Sequence, residues 1–166
     1  MALSIDNFEF LRALLLKESG LVITQEKIYL LESRLLPIAN KRGLNGLDGL
    51  VTEVKAKRDT SLIYEVVEAM TTNETSFFRD TTPFDRLKDT VLPFMQKNRT
   101  SKSLKIWCAA CSSGQEPYSI VMLLKEHPEF SKWNIDIVGT DISEEILDQA
   151  RTGVYTQFEV QRGLPI

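Results

Sequence analysis

Leu104-Lys105-Ile106-Trp107-Cys108, followed by Ala109-Ala110-Cys111-Ser112-Ser113-Gly114, is the stretch of this sequence that decides its fold. The first five residues alternate between apolar and polar before they run apolar, as in a sheet strand. The next six are small or polar, which is typical of a turn. A helical pattern follows at residues 117–125. The order strand, turn, helix predicts an α/β domain whose ligand crevice lies at this turn.

A second strand and helix are predicted downstream. Ile-Asp-Ile-Val-Gly at residues 135–139 is predicted as a second strand, and Ser143 is placed to cap a helix that ends near Gly153. Strand, helix, strand, helix is the beginning of a parallel sheet. Because two strands cover too little apolar surface for a stable doubly wound sheet, we expect further strands from a longer chain or a second chain. We also expect self-association through the open sheet.

Residues 1–70 have helical periodicity and predict a small bundle. Ser4 is placed to cap a first helix and Thr24 a second, a weaker helix covers residues 47–57, and Ser61 opens a fourth. Pro37 predicts a kink or an early end of the second helix. We therefore expect a helical domain at 1–70, a linker and a helix containing Phe84, Leu87, Val91 and Met95 at 71–103, and the first part of the α/β domain at 104–166.

The composition and charge of the chain exclude several classes of protein. The 166 residues are 43% hydrophobic and 26% charged, with a net charge of -3 and no block of like charges. These values indicate a globular protein without a nucleic-acid-binding arm. The longest apolar stretches, such as residues 13–16, are too short for membrane insertion. Because Asp6 and Glu9 lie where a signal peptide needs a basic and then an apolar region, we expect no signal peptide. With two cysteines, no disulfide framework is implied, so we expect a reducing cytoplasm.

Two candidate ligand-binding features follow the predicted strands. The turn at 109–116 lacks both the Gly-x-Gly-x-x-Gly pattern and a Walker A lysine, so it is either a ligand crevice or a tight connection. Asp141 comes 27 residues after Gly114, where an acid accepts hydrogen bonds from ribose hydroxyls. The alternative for Asp141 is an acid that stabilises a helix N-terminus. Together the two features favour a nucleoside cofactor.

The segment at residues 70–80 is a third candidate, because it is polar, then aromatic, then charged. Asn73, Thr75 and Arg79 could fold over a cofactor, with Arg79 meeting a carboxylate; the alternative is a polar linker whose Phe77 and Phe78 pack against the bundle. The Cys108-x-x-Cys111 spacing allows a thioredoxin-like interpretation, which we disfavour because Cys108 is expected to be buried. Two further zinc ligands are missing from the sequence pattern, so no metal site is predicted.

Basic residues recur along the second predicted helix and beyond it. The pattern indicates either a solvated face or a docking surface for an acidic partner. The candidate docking residues are Lys27, Arg34, Lys41, Lys55 and Arg58. His127, which precedes Pro128, is expected at the surface or at a helix C-terminus.

Four segments carry a resemblance to a known family. They are Met-Thr-Thr-Asn-Glu-Thr-Ser-Phe-Phe-Arg-Asp at 70–80, Ile-Trp-Cys-Ala-Ala-Cys-Ser-Ser-Gly-Gln-Glu-Pro-Tyr-Ser at 106–119, Gly-Thr-Asp-Ile-Ser at 139–143 and Ala-Arg-Thr-Gly-Val-Tyr at 150–155. In order and spacing they resemble the CheR-type chemotaxis receptor methyltransferases, over essentially the whole chain. The resemblance implies an N-terminal helical bundle followed by a Rossmann-like S-adenosylmethionine-dependent methyltransferase domain, here incomplete.

The resemblance also implies an activity. A methyl group would pass from S-adenosylmethionine to glutamate side chains of methyl-accepting chemotaxis receptors, leaving S-adenosylhomocysteine. Asn73, Thr75, Arg79, Glu116 and Asp141 match cofactor-binding positions; Arg79 is our hypothesis for the catalytic residue that orders cofactor and substrate. The basic surface matches the region that approaches receptors.

The family's further strands, including an Asn-Val-x-Ile-Tyr-Phe-like motif, and the β insertion of some members are expected beyond Ile166, so the activity of this chain alone is in question. The alternatives left open are a methyltransferase for RNA or a small molecule, and a non-catalytic module that binds a receptor or signalling protein.

Overall fold

The computed structural model describes residues 3–56 and 59–164. The chain divides into two compact units, residues 1–72 and 73–166. The first is helical and the second contains a parallel sheet with helices, which confirms the predicted fold class. Each unit has its own cluster of buried apolar side chains.

The helical unit packs its four main helices around a core rich in leucine and valine, because their apolar stripes face one another. Its elements are α1 (Ile5–Ser19), a 3-10 turn (Gln25–Lys27), α2 (Ile28–Lys41), α3 (Gly46–Ala56) and α4 (Thr60–Met70). Its most completely buried side chains include Phe8, Leu11, Leu15, Leu31, Leu35 and Leu50.

The ends of these helices confirm some predicted caps and correct others. Ser4 Oγ accepts the N–H of Asn7 at 3.2 Å, as predicted for the start of α1. Thr24 makes no side-chain capping bond. The Lys27 N–H, which a Thr24 hydroxyl cap would accept, donates instead to the main-chain carbonyl of Thr24 in the 3-10 turn. Asp59, rather than Ser61, caps α4, and its carboxylate accepts the Ser61 N–H at 2.8 Å.

Pro37 neither ends nor interrupts α2, which continues to Lys41. Proline removes one helical N–H, but Pro37 and Ser33, the residue four positions earlier, are both exposed, so water can hydrate the freed carbonyl. The opposite side of the helix is held by the buried side chains of Leu31, Leu35 and Ala39. Tertiary packing therefore keeps the helix intact through the proline.

Arg42 connects the end of α2 to the start of α4. Its guanidinium donates to Asp59 Oδ2 at 2.5 Å, to Glu65 Oε1 and Oε2 at 3.0 and 3.1 Å, and to Ser61 Oγ at 3.1 Å. The Ser61 hydroxyl and the Arg42 guanidinium lower the pKa of Asp59 to about 2. The pKa of Glu65 is lowered mainly by its bond from Arg42.

The second unit begins with a helical segment interrupted by a π turn. Its elements are α5 (Thr82–Arg86), the π turn (Leu87–Val91), α6 (Leu92–Asn98), β1 (Ser103–Ala109), α7 (Gln115–Glu126), a 3-10 turn (Phe130–Lys132), β2 (Asn134–Thr140), α8 (Glu144–Thr152) and α9 (Gln157–Gln161). The continuous helix predicted from Phe84 to Met95 is wrong in its middle. Pro93 has no N–H for the usual bond, and the Leu92 N–H bonds to Leu87 O, five residues back.

The strands β1 and β2 pair in parallel, with Leu104 opposite Ile135 and Cys108 opposite Gly139. Leu104 and Cys108 point into the core, whereas Trp107 and Val138 on the other face are 71% and 50% exposed. The alternation is that of a sheet packed on one face only. The two turns that leave the carboxyl ends of the strands lie at the same edge, as parallel pairing requires.

The last helix, α9, was not predicted from periodicity because it has only five residues. Its start nevertheless carries a sequence signal, a capping box in which Thr156 and Glu159 satisfy each other's main-chain N–H groups. The 3-10 turn at Phe130–Lys132 was also not predicted; it places Phe130 in the core.

Candidate active site

The turn between β1 and α7 adopts an uncommon backbone conformation. Ala110 and Ser112 have φ values of 57° and 50°, and Gly114 has a φ of 94°. Only glycine adopts this region without a steric cost, so the two other residues store strain. Strain of this kind persists only where surrounding contacts hold the backbone in place, and such contacts are present on three sides of the turn.

Ser112 is the centre of those contacts. Its N–H donates to Asp141 Oδ2 at 2.8 Å, and its hydroxyl donates to the Asn73 carbonyl at 2.7 Å. The preceding residue, Cys111, donates its N–H to Thr140 O at 2.9 Å. The end of β2 and the start of the 73–80 segment therefore meet at the turn that follows β1.

Asp141 lies at the carboxyl end of β2, half-buried. Its second oxygen, Oδ1, accepts the Ser143 N–H at 3.1 Å, and Ser143 Oγ accepts from Ile146 N at 3.3 Å, which confirms Ser143 as the cap of α8. An ionised carboxylate accepts about four hydrogen bonds, so two donors leave it acceptor capacity. Asp141 thus supports both the turn and the approach to α8, and it can still receive ligand hydroxyls.

Close backbone packing brings the two strand ends together. A Cβ placed on Gly139 would lie 2.8 Å from Cys111 Sγ, so any larger residue at this position of β2 requires Cys111 or the turn to move. A Cβ on Gly114 would lie 3.0 Å from the Tyr155 hydroxyl and 3.1 Å from Ala150 Cβ. The small residues of these motifs are therefore required by packing around the turn as well as by access for a ligand.

The two cysteines are free and buried. Burial, followed by the charge of Glu116, raises the pKa of Cys108 to about 11, and burial and the charge of Asp141 raise the pKa of Cys111. A dithiol redox site needs an accessible thiol of low pKa, so the structure argues against the thioredoxin-like interpretation. Within residues 3–56 and 59–164, no cluster of three or more His, Cys, Asp or Glu side chains is arranged to hold a metal ion.

The 73–80 segment packs against the second unit through its aromatic residues. The ring of Phe77 meets Tyr155 at 5.0 Å, the ring of Phe78 meets Phe84 at 5.1 Å, and the Phe78 N–H donates to the buried Ser119 hydroxyl at 2.9 Å. These contacts all lie within the 73–166 unit. The packing of these rings places the preceding polar residues beside the turn.

Arg79 is half-exposed and bonded within its own segment. Its guanidinium donates to the Glu74 carbonyl at 2.7 Å, and Nε lies 4.0 Å from Asp80 Oδ2. Arg162 pairs with the Glu74 carboxylate at 2.5 Å, and this bond is the main cause of that group's lowered pKa. Thr75 is half-buried in the same segment.

The structure thus places three of the five predicted cofactor residues, Asn73, Glu116 and Asp141, at or next to the turn. Asn73 reaches it through its main-chain carbonyl, and Asp141 reaches it through its side chain. Glu116 is exposed in the first turn of α7, at the same end of the sheet. Thr75 and Arg79 belong to the segment anchored by Phe77 and Phe78, but Arg79 points to a main-chain carbonyl of that segment.

The predicted docking residues of the helical unit have different surroundings. Lys27 and Lys41 are exposed, and so is Lys55, whose Nζ donates to Asn7 Oδ1 at 2.9 Å. Arg34 donates to the carbonyls of Met70 and Thr71 at 2.9 and 2.7 Å and to Thr72 Oγ1 at 3.2 Å. It therefore satisfies main-chain carbonyls at the C-terminal end of α4. Arg58 lies outside the described residues. His127 is the C-cap of α7, as expected, with its ring 5.1 Å from Phe130.

Tyr155 is a site residue that the sequence did not single out by itself. Its hydroxyl donates to Ser113 O in the turn at 2.7 Å, and its ring meets both Phe77 and Tyr118 edge to face. It belongs to the quoted segment at 150–155, but no spacing rule connects position 155 with position 113. Forty-two residues separate the partners, so only the folded chain reveals the contact.

Family models match both units. The model of the all-alpha domain of CheR methyltransferases matches residues 6–71, and the model of their S-adenosylmethionine-binding domain matches residues 73–166. This chain belongs to the CheR methyltransferase family. Its sheet-containing unit, with the turn after β1 and Asp141 after β2, is the part of the CheR fold that the second model describes.

Curated CheR relatives agree. The chain is 41% identical over 162 residues to the chemotaxis protein methyltransferase Cher2 of Pseudomonas putida, and 43% identical over 162 residues to chemotaxis protein methyltransferase 1 of Pseudomonas aeruginosa. Each match covers 95% of this chain and 59% of the relative. The chemotaxis protein methyltransferase of Borreliella burgdorferi is 33% identical over 146 residues, 85% of this chain and 52% of the relative. The chain therefore spans less than two thirds of the length of these CheR proteins.

Among residues 3–56 and 59–164, every helix is too short or too polar to cross a bilayer.

Proposed function

We propose that the sheet-containing unit binds S-adenosylmethionine and that the chain acts in methyl transfer to glutamate side chains of chemotaxis receptors. One observation carries the proposal: Ser112 of the turn after β1 is bonded to both Asp141 and Asn73, three positions that the family motifs bring together. The two Pseudomonas relatives are named chemotaxis protein methyltransferases, which supports the same activity.

The residues at the turn fit the proposed cofactor. The Asp141 carboxylate has unused acceptor capacity at the carboxyl end of β2, where it suits a pair of ribose hydroxyls. Glu116, exposed in the first turn of α7, suits the ammonium group of the methionine portion. The small residues 109–114 allow a ligand to approach the backbone. Asn73, Thr75 and Arg79 would cover the cofactor from the adjoining segment.

The proposed chemistry makes modest demands on this chain. S-adenosylmethionine supplies an electrophilic methyl group on a sulfonium. A receptor glutamate, with an ordinary pKa of about 4.3, is already ionised at neutral pH and needs no general base. The protein's task is to orient the reacting groups and exclude water. Arg79 is our proposal for ordering them, which requires its guanidinium to leave the Glu74 carbonyl when cofactor and substrate bind.

Cofactor binding is tested by calorimetric titration of the chain with S-adenosylhomocysteine. Asp141→Asn should weaken binding about tenfold or more, since a hydrogen bond to a charged group contributes about 1.5–3 kcal/mol. Asp136→Asn is the matched control, because that acid is exposed on β2, the strand that Asp141 directly follows, and pairs only distantly with Lys105, at 3.9 Å. No binding by the unmodified chain, or equal affinities for both variants, would refute the proposed cofactor site.

Methyl transfer is tested with tritiated S-adenosylmethionine and receptor-containing membranes. Glutamyl methyl esters release labelled methanol in mild base, whereas methylated RNA and most methylated small molecules do not. Arg79→Ala should lower turnover if Arg79 orders the reacting groups. Base-stable label would favour the alternative substrates, and turnover unchanged by Arg79→Ala would remove this residue from the proposal.

The exposed lysines of the helical unit support docking to a receptor. Receptor binding without catalysis is also the second candidate function for this chain. Lys27, Lys41 and Lys55 would attract an acidic receptor surface and increase the association rate at low salt. Arg34 adds charge, but its hydrogen bonds at the end of α4 give it a structural role; Arg58 is proposed from its sequence position alone. Receptor binding without S-adenosylhomocysteine binding would identify a non-catalytic module.

Charge reversal separates docking from folding. Lys27→Glu with Lys41→Glu should slow association with receptor fragments and reduce its salt dependence. Lys105→Glu, an exposed lysine of β1, is the control. Equal association rates for both variants would refute docking through these lysines.

A further inference from the structure

The peptide between Ser113 and Gly114 is held at both of its polar ends. Its carbonyl, Ser113 O, accepts a 2.7 Å hydrogen bond from the Tyr155 hydroxyl. Its N–H, on Gly114, donates to Cys111 O at 3.0 Å. One of these bonds lies within the turn, but the other comes from the loop between α8 and α9. Tyr155 is therefore the tertiary contact that fixes the orientation of this peptide.

The orientation matters because rotation of a peptide changes ψ of the residue before it and φ of the residue after it. Gly114, at φ 94°, is the N-cap of α7 and has no side chain to resist such a rotation. A rotated peptide would lose both of these bonds and change the backbone path that leads into α7, whose N-terminal N–H groups are suited to ligand contacts. The turn keeps one arrangement only while both bonds are made.

The Tyr155 ring is itself held from two sides. It meets the Phe77 ring at 5.0 Å and the Tyr118 ring at 5.9 Å, both in edge-to-face geometry. Burial raises the pKa of its phenol to about 12, so the hydroxyl stays protonated and remains a donor at neutral and mildly alkaline pH. Tyr155 therefore contacts both the segment at 73–80, through the Phe77 ring, and the turn after β1, through Ser113 O.

We infer that Tyr155 is a positioning residue for the cofactor turn, holding the Ser113–Gly114 peptide in the orientation that binds S-adenosylmethionine. The inference rests on the proposed function for its cofactor, but the peptide's orientation can be measured without any ligand. Tyr155 does not need to touch the cofactor, because it acts through the main chain of the turn.

The test compares two tyrosine-to-phenylalanine variants that keep their rings. Tyr155→Phe removes the bond to the turn, whereas Tyr118→Phe removes a bond to Ala150 O in α8 and serves as the control. In ligand-free nitrogen-15 spectra, the assigned Gly114 amide should shift or broaden in Tyr155→Phe and stay near its wild-type position in Tyr118→Phe. In calorimetry, the dissociation constant of S-adenosylhomocysteine should rise about fivefold for Tyr155→Phe, the size expected for one lost hydrogen bond, and less than about twofold for the control.

The possible results separate the two claims. An unchanged Gly114 amide in Tyr155→Phe overturns the inference, and so does a shifted amide accompanied by wild-type cofactor affinity. Failure of the unmodified chain to bind S-adenosylhomocysteine would overturn the proposed function, while the Gly114 signal would still decide whether Tyr155 holds the peptide.

Discussion

Gly139→Ala is the substitution whose effect the structure specifies most closely. Gly139 lies in β2 opposite Cys108, and the chain returns over it at Cys111. An added Cβ would lie 2.8 Å from Cys111 Sγ and 3.2 Å from Cys111 Cβ. Favourable separations between such atoms begin at about 3.5 Å, so the turn after β1 must move by roughly 0.7 Å or the strands must separate.

The expected cost follows from overpacking. Inserting one carbon into a filled core costs about 1–3 kcal/mol. Replacing glycine by alanine in a strand returns about 0.5–1 kcal/mol through the lower entropy of the unfolded chain. The net destabilisation of the sheet-containing unit should therefore be about 1 kcal/mol, and at most about 2.5 kcal/mol. The displaced residue belongs to the cofactor turn, so S-adenosylhomocysteine affinity should fall as well.

Urea unfolding followed by tryptophan fluorescence measures this effect. The only two tryptophans, Trp107 and Trp133, both lie in the 73–166 unit, so their emission reports on that unit. Gly139→Ala should lower the free energy of unfolding, and adding Cys111→Ala should recover much of the loss because it removes the sulfur from the contact. A double-mutant cycle should give a favourable coupling of about 0.5–2 kcal/mol.

Two results would refute the reasoning: wild-type stability of Gly139→Ala, or additive effects of the two substitutions. Gly49→Ala in α3 is the control for the added methyl group, because its Cβ would make only an ordinary 3.4 Å contact with Leu44 Cβ. It should stabilise the helical unit by up to about 1 kcal/mol when unfolding is followed by circular dichroism.

Three further predictions concern acid stability, thiol reactivity and association. The folded pKa of Asp59, about 2, lies below its ordinary 3.8, so its contribution is full above about pH 4 and is lost as the pH falls towards 2; Asp59→Asn should reduce this acid dependence of the melting temperature, and an unchanged profile would contradict the assignment. Cys108 and Cys111 should react slowly with a disulfide reagent at pH 8 until the protein is unfolded in urea, because burial raises the pKa of both thiols; rapid labelling of the native protein would refute this. Trp107→Lys should decrease self-association measured by light scattering, because Trp107 is 71% exposed on the open sheet face; a wild-type protein that stays monomeric at high concentration would contradict this expectation.

Strong local patterns made the fold predictable from the sequence. The helical stripes of residues 1–70 and the switch from period 3.6 to alternation at Leu104 identify most elements, and Ser4 and Ser143 mark two helix starts correctly. The errors occur where a neighbouring residue caps the helix instead, or where a residue in the helix has no N–H to donate. Asp59 caps α4, two residues before the predicted start at Ser61, and Pro93 lies just after the π turn in a position where it cannot donate the usual helical bond.

Only part of the candidate site could be predicted from sequence patterns. Turn composition and the acid after β2 identify residues 109–114 and Asp141, because parallel strands place their carboxyl ends at one edge. Sequence patterns do not show that Arg34 donates to the carbonyl of Met70 at the end of α4, because that bond joins residues 36 positions apart. They also do not show that Arg79 bonds to the Glu74 carbonyl, because this segment has no regular helical or strand pattern from which its local turn could be predicted.

The sequence by itself determined the order of elements, the division between helices and sheet, and the motifs that indicate the CheR family. These properties follow from local periodicity and from the residue types that turns and caps require. The tertiary structure alone decided which groups meet at the turn: Ser112 with Asp141 and Asn73, and Tyr155 with Ser113. A hydrogen bond between residues 42 positions apart has no local signature, because its geometry is set only when the strands pair and the helices pack against them.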